Sequence, residues 1–281
     1  MKNLCLIIVL TGISLSPIVC AQDFNFSGVP SLSLGHIRSV ERNSFSPLSN
    51  PTGVTKLKTA GFAISYISPY TIKELSNRSI TGTAPTGLGH LSLLFSQSGY
   101  SLSLLNRYGL SYARTFGKHV SAAFQFNGLT HKIEGTETYG GFFTTLGVQF
   151  FPSAKVELGF YIQNPEQSKI SYPDRKVLIP VLYVAGLNWH PLNYLSLMVE
   201  MEKDQQYDPQ YKFGIEIQSV DILILRGGVK GSPVELSFGA GTKWRFIVVD
   251  VGMSYHQQLG VTSGVSLTIS LQKKLDKKAE K

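Results

Sequence analysis

Glu200, Glu202, Lys212, Glu216, Arg226, Glu235, Lys243 and Asp250 lie between residues 200 and 250, most of them with an apolar residue on either side. On extended chain, where side chains alternate between faces, they share one face. Three chemistries are open to such a set: ion pairing between adjacent strands, a gated polar pathway, or a binding site. Unpaired charges in a confined space are costly, so opposed signs on neighbouring strands should meet. The signs here are mixed, whereas a selective pore is biased towards one, which makes structural pairing the leading reading.

Little else in the chain suggests reaction chemistry. The histidines (His36, His90, His119, His131, His190 and His256) are scattered without metal-ligand spacing, so no metal is expected. No nucleophile elbow, phosphate-binding loop or His-Glu-x-x-His occurs, and no Ser-His arrangement is picked out by spacing. The expectation is a protein that is not an enzyme and carries no cofactor. The basic excess of +8 is not clustered with aromatic residues, so nucleic acid is not an expected partner.

The elements that position the charges are strands. Val265, Leu267, Ile269 and Leu271 alternate with Gly264, Ser266, Thr268 and Ser270, and Ile247 to Tyr255 alternate the same way around Asp250. Leu195 to Met201, Tyr211 to Ile217 and Val156 to Ile162 repeat the pattern, one face apolar and the other small, polar or charged. Period-2 alternation of this kind marks strands. Fourteen such segments start near Ala60, Arg78, Leu88, Ser103, His119, Tyr139, Lys155, Leu178, Tyr194, Gln210, Ile222, Pro233, Phe246 and Ser263. Their length suits the ~9–11 residues that cross a bilayer at a tilt. Beyond residue 21 no apolar run reaches the ~18 residues of a membrane helix.

The fold class expected is therefore all-β: a single 14-stranded antiparallel transmembrane β-barrel over residues 59–272. An even strand count puts both chain ends on the periplasmic side. Phe116 to Lys118, Phe151 to Ala154, His190 to Asn193 and Gln218 to Asp221 read as tight turns there. Asn164 to Val177 and His256 to Thr262 read as longer outer loops. Trp189, Trp244, Tyr194, Tyr211 and Tyr255 fall near strand ends, as membrane-interface girdles require.

Residues 1–21 have the layout of a cleaved export signal: Lys2, an apolar stretch from Leu4 to Ile13, and Val19-Cys20-Ala21 before Gln22. A lipidated Cys20 fits less well, since Val19 is not the small residue that signal needs. Both cysteines, Cys5 and Cys20, lie in this segment, so the mature chain would hold neither a disulfide nor a thiolate site. Residues 273–281 form a basic tail expected to be solvated and disordered on the periplasmic side, with attraction to anionic headgroups or acidic polymer as its functional alternative. The address implied is an outer membrane, with its lipid as the obligatory partner.

Residues 22–58 lack alternation and are rich in Ser, Pro and Asn. Within them, Ser46-Pro47-Leu48-Ser49-Asn50-Pro51-Thr52-Gly53-Val54 resembles the Asn-Pro-Ala-Gly-Leu element that precedes the first strand in PorV/PorQ-like and FadL-like outer-membrane barrels. Ser68-Pro69-Tyr70, Asn164-Pro165 and Tyr255-His256 through Leu259-Gly260 extend the resemblance over nearly all of the mature chain. Thr52 stands where those families usually have alanine, and the chain ends on Leu271 and a basic tail instead of a terminal aromatic. The resemblance implies that Asn50, Pro51 and Gly53 belong to a segment that folds back, Gly35 to Val54 plugging the lumen from the periplasmic side. It also implies a role. The first reading is a non-enzymatic, partner-binding or type IX secretion-associated component with a protein partner in the outer membrane. The alternative is a FadL-like passive transporter of small hydrophobic molecules, which would need an apolar pocket near the plug and a lateral opening to which kinks such as Pro180 would contribute.

Overall fold

The computed structural model describes residues 27–220, 222–231 and 233–271. The expected export signal, the expected basic tail and Asp221 of one expected turn lie outside them. Short helices come first: α1 (Val29–Ser33) and two 3-10 helices, Ser46–Leu48 of one turn and Pro51–Lys56 of two. The strands follow as β1 (Gly61–Ser68), β2 (Asn77–Pro85), β3 (His90–Tyr100), β4 (Ser103–Phe116), β5 (Val120–Ile133), β6 (Thr138–Ser153), β7 (Val156–Gln163), β8 (Lys169–Ser171), β9 (Lys176–Leu178), β10 (Leu182–Leu192), β11 (Leu195–Asp204), β12 (Gln210–Val220), β13 (Leu223–Lys230), β14 (Glu235–Trp244), β15 (Ile247–His256) and β16 (Gly260–Ser270).

Fourteen of these strands form one closed antiparallel barrel, each pairing with its neighbours and β16 closing on β1 from Gly61↔Ser270 to Ser68↔Ser263. Closure leaves no unpaired edge, the condition for strands to cross hydrocarbon. β8 and β9 make a separate two-stranded hairpin. The outer face is apolar, with Ile64, Leu93, Leu110, Phe126, Phe213, Phe238 and Val251 all exposed. Two aromatic belts bound it. Phe116, Phe150, Trp189, Tyr194, Trp244 and Phe246 ring the end that carries the tight turns. Tyr66, Tyr108, Phe142, Tyr183, Tyr211 and Tyr255 ring the end that carries the loops. Such belts sit where hydrocarbon gives way to headgroups.

Five boundaries differ from expectation, one being the longer outer loop expected from His256 to Thr262, which is only the short turn 257–259 because Gly260 to Thr262 already pair with His256 to Ser254. The stretches at Phe151, His190 and Gln218 are strand, ending in register shifts between Phe150 and Ser153, Trp189 and Leu192, and Ile217 and Val220. A bulge accommodates Pro152 and Pro191, which cannot donate to a ladder. The eighth barrel strand begins at Leu182, not Leu178, because Leu178 pairs with Lys169 in the hairpin.

Candidate functional site

The N-terminal segment lies inside this barrel. Residues 27–54 are nearly all buried although they hold only short helices, and their contacts are with inward-facing positions of the wall. Eight inward glycines make the room: Gly264, Gly252, Gly239, Gly228, Gly214, Gly186, Gly159 and Gly147 on β16, β15, β14, β13, β12, β10, β7 and β6. A Cβ at Gly252 or Gly239 would stand 2.2 or 2.1 Å from the Ser33 hydroxyl, and one at Gly228 would stand 2.2 Å from the Gly35 nitrogen. At Gly186 and Gly159 it would lie 2.1 Å from the Ser39 hydroxyl and carbonyl oxygens. These glycines cut a groove around the inner wall, and the segment's backbone lies in it. β11, between β12 and β10, has Glu200 at this level instead, cross-strand from Gly186.

Glu200 is the segment's main polar anchor. One carboxylate oxygen accepts the backbone N–H groups of Arg38 and Ser39 at 2.7 and 2.6 Å and the Ser39 hydroxyl at 2.7 Å. The other takes the Lys212 ammonium at 2.8 Å, which also reaches Glu202 at 2.6 Å and the His36 carbonyl at 3.0 Å. Arg38 completes the cluster on Glu202. Further round the wall, Arg226 joins Glu216 at 2.7 Å and Asp250 at 2.6 Å, while Glu235 binds His36 at 3.1 Å and also takes the Ser254 hydroxyl. Seven of the eight residues singled out by spacing therefore sit in paired clusters. Lys243 does not. It has the inward parity but stands one residue from the end of β14, exposed at the rim, without an ion pair among the described residues. Water at the rim solvates it.

Pairing across strands makes Arg226 the bridge of its triad. Arg226→Met leaves Asp250, 2% exposed, facing Glu216 without a cation, and is expected to lower unfolding free energy by about 3 kcal/mol. Urea unfolding of the folded barrel in lipid vesicles measures it. A loss under about 0.5 kcal/mol, the scale of a solvated surface pair, would show that the triad is hydrated.

Asn50, Pro51 and Gly53 cross-brace the segment. The Asn50 carboxamide accepts the Thr52 N–H at 3.2 Å, capping the 3-10 helix that Pro51 opens, and donates to the Ser39 carbonyl at 2.6 Å. Gly53 passes so close to the Glu41–Ser46 turn that a Cβ would lie 2.0 Å from the Glu41 carbonyl oxygen. That turn is closed by the Asn43 amide donating to the Glu41 carboxylate at 2.9 Å. Burial pushes the Glu41 carboxyl up to about 7.

Spacing did not identify the segment's own charges. Arg38, Arg42 and His36 supply three of the nine ion pairs among the described residues, Arg42 reaching Glu157 at 2.7 Å, but they lie in a stretch without periodicity. Nor did spacing show that part of the inner wall is apolar. Leu94, Leu105, Leu129 and Phe143, inward on β3 to β6, form one buried cluster with Phe45 and Leu48 of the segment and Ile170 and Ile179 of the loop between β7 and β10. The signal was present at Leu93-Leu94 and Phe142-Phe143, where adjacent apolar residues fill both faces. The hairpin β8–β9 covers this cluster from the loop end. Tyr172 holds it to the wall, hydrogen-bonded to His131 at 2.7 Å and packed on Tyr139. Pro180 lies in the connection ahead of β10, outside any strand.

The sequence matches no protein-family model and no curated protein. The fold does have counterparts among solved structures. The CymD monoaromatic hydrocarbon channel superposes with a TM-score of 0.70 at 12% identity, over 89% of this chain and 99% of that one. The toluene transporter TodX of Pseudomonas putida gives 0.64 at 9% identity over 89% and 100%. A Pseudomonas aeruginosa FadL homologue gives 0.57 at 11% identity over 88% and 98%. The shared feature is the barrel architecture.

Proposed function

We propose that the protein is a passive conduit that takes small hydrophobic molecules across an outer membrane, with residues 27–58 as the plug and the tight turns on the periplasmic side. This reverses the order suggested by sequence alone, which put a secretion-associated, partner-binding role first. The apolar cluster on the inner wall carries the reading. A lumen that needed only structural filling could be polar throughout, as most of this one is. Leu94, Leu105, Leu129 and Phe143 instead give the loop half an apolar surface, now covered by Phe45, Leu48, Ile170 and Ile179. An incoming hydrophobic molecule can replace those side chains without exposing the wall to water. The fold's likeness to hydrocarbon channels supports the same reading.

Placing a carboxylate on this surface should block it. Burying a charge among apolar groups costs several kcal/mol, so Phe143→Asp is expected to lower uptake of labelled toluene by roughly 10-fold in cells that rely on this protein for entry. Heat-modifiable gel mobility confirms that the barrel still forms. Equal uptake by the variant, the parent and cells lacking the protein would end the conduit reading.

A further inference from the structure

We infer that the turn end of the barrel binds the headgroups of anionic phospholipids, through an arc of cations set at the height of the aromatic belt. Charge is divided unevenly between the two ends. At the turn end Lys58, Arg114, Lys118, Lys155, Lys243 and Arg245 are exposed, and none has an ion pair among the described residues. Arg42, also exposed there, is held by Glu157. No acid among the described residues is exposed at that end. The exposed acids Glu74, Glu134, Glu137, Glu166, Asp174 and Asp208 all stand at the loop end. There the exposed cations Lys73, Arg78, Lys132, Lys169, Arg175 and Lys176 match them in number. The loop end is balanced, and the turn end is strongly positive.

Height selects the partner. Arg114 shares the outward face of β4 with Leu110 and Tyr112, and its guanidinium lies 5.8 Å from the centre of the Phe116 ring. The Arg245 guanidinium lies 5.6 Å from the centre of the Trp244 ring. Phe116 and Trp244 belong to the belt at the hydrocarbon edge, so both cations stand where headgroups begin. A planar guanidinium can meet a phosphate with two parallel hydrogen bonds. Lys118 and Lys155 occupy the turns that join β4 to β5 and β6 to β7. From the β14–β15 turn through β1 to the β6–β7 turn, the cations span ten consecutive strands of the fourteen. An arc that wide faces many lipids at once. A soluble acidic protein or polymer would have to press against the bilayer itself to reach Arg114. The inference goes beyond the conduit reading and does not depend on what the lumen carries.

The test is electron spin resonance on the intact protein in phosphatidylcholine vesicles at low salt, with spin-labelled phosphatidylglycerol or phosphatidylcholine as the probe. The labels are present in both leaflets, so the direction of insertion does not matter. Each cation near the surface attracts an anionic headgroup about fivefold. Averaged over the whole lipid shell, phosphatidylglycerol should be favoured about twofold, and 1 M salt should erase the preference. Replacing Arg114, Lys118, Lys155 and Arg245 together by glutamine should bring the two lipids level. Replacing Lys73, Lys132, Lys169 and Lys176 by glutamine removes the same charge from the loop end and should leave most of the preference. Heat-modifiable gel mobility checks that both variants fold. Equal affinities in the parent, a preference that survives the turn-end variant, or equal losses in the two variants would each overturn the inference. The parent comparison needs no variant, so a misfolded one does not leave the matter open. A parent without lipid preference that instead sediments with poly-glutamate would overturn it too, and would give the arc to a soluble acidic polymer.

Discussion

Deleting residues 27–56 will turn a non-conducting barrel into an ion channel. The barrel has fourteen strands. Eight strands leave an interior that side chains alone fill, whereas sixteen or more enclose an aqueous channel, so the wall side chains cannot fill this lumen unaided. The segment fills the remainder, and inward glycines on eight strands mark the space reserved for it. With the segment gone, Glu200, Glu202 and Glu157 lose Arg38 and Arg42 but gain water, and the strand ladders are unaffected. In planar bilayers the intact protein should show no resolved steps. The deletion should give discrete openings, at least ~10-fold above its baseline, as an emptied barrel of this size would. Its acids outnumber its remaining inward cations, so the openings should favour cations. Free conductance by the intact protein would sink the plug. No conductance after deletion would place the seal in the β8–β9 hairpin.

The barrel was legible in the sequence because its physics is local. Lipid outside and packed polar groups inside force a two-residue alternation, and each of the fourteen strands lies within a few residues of its expected start. The inner architecture was not legible, because it depends on which inward residues meet. Gly147, Gly159 and Gly186 read as small lumen residues; only the path of Ser39 and Asn50 across them makes them a groove. Lys243 has the right parity, but parity says nothing about depth, and at the rim it has water instead of a partner. The hairpin was missed for a related reason. Lys176 to Leu178 pair with Lys169 to Ser171 over three residues, too few for a periodic signal.

Most inward charges use a partner from the segment or from a neighbouring strand, which makes the network a device for holding one chain path inside another. Lys212 is where the two meet, and its removal should have the largest energetic effect of any single wall substitution. Its ammonium is 1% exposed and serves Glu200 and Glu202, themselves 0% and 9% exposed. Lys212→Met leaves two buried carboxylates sharing Arg38, and is expected to cost about 3–5 kcal/mol, the loss typical when one partner of a buried ion cluster is removed. Adding Glu202→Gln removes the surplus charge, so the double variant should recover a large part of that loss, with a coupling of about 1–3 kcal/mol. Glu200→Gln should not recover as much, because that carboxylate also anchors the Arg38 and Ser39 backbone. Urea unfolding in vesicles gives all three values. Additive losses would mean that water screens the cluster and that the segment is held by the glycine groove alone; strong coupling at Glu202 with little rescue at Glu200 would mean that the ions fix its register.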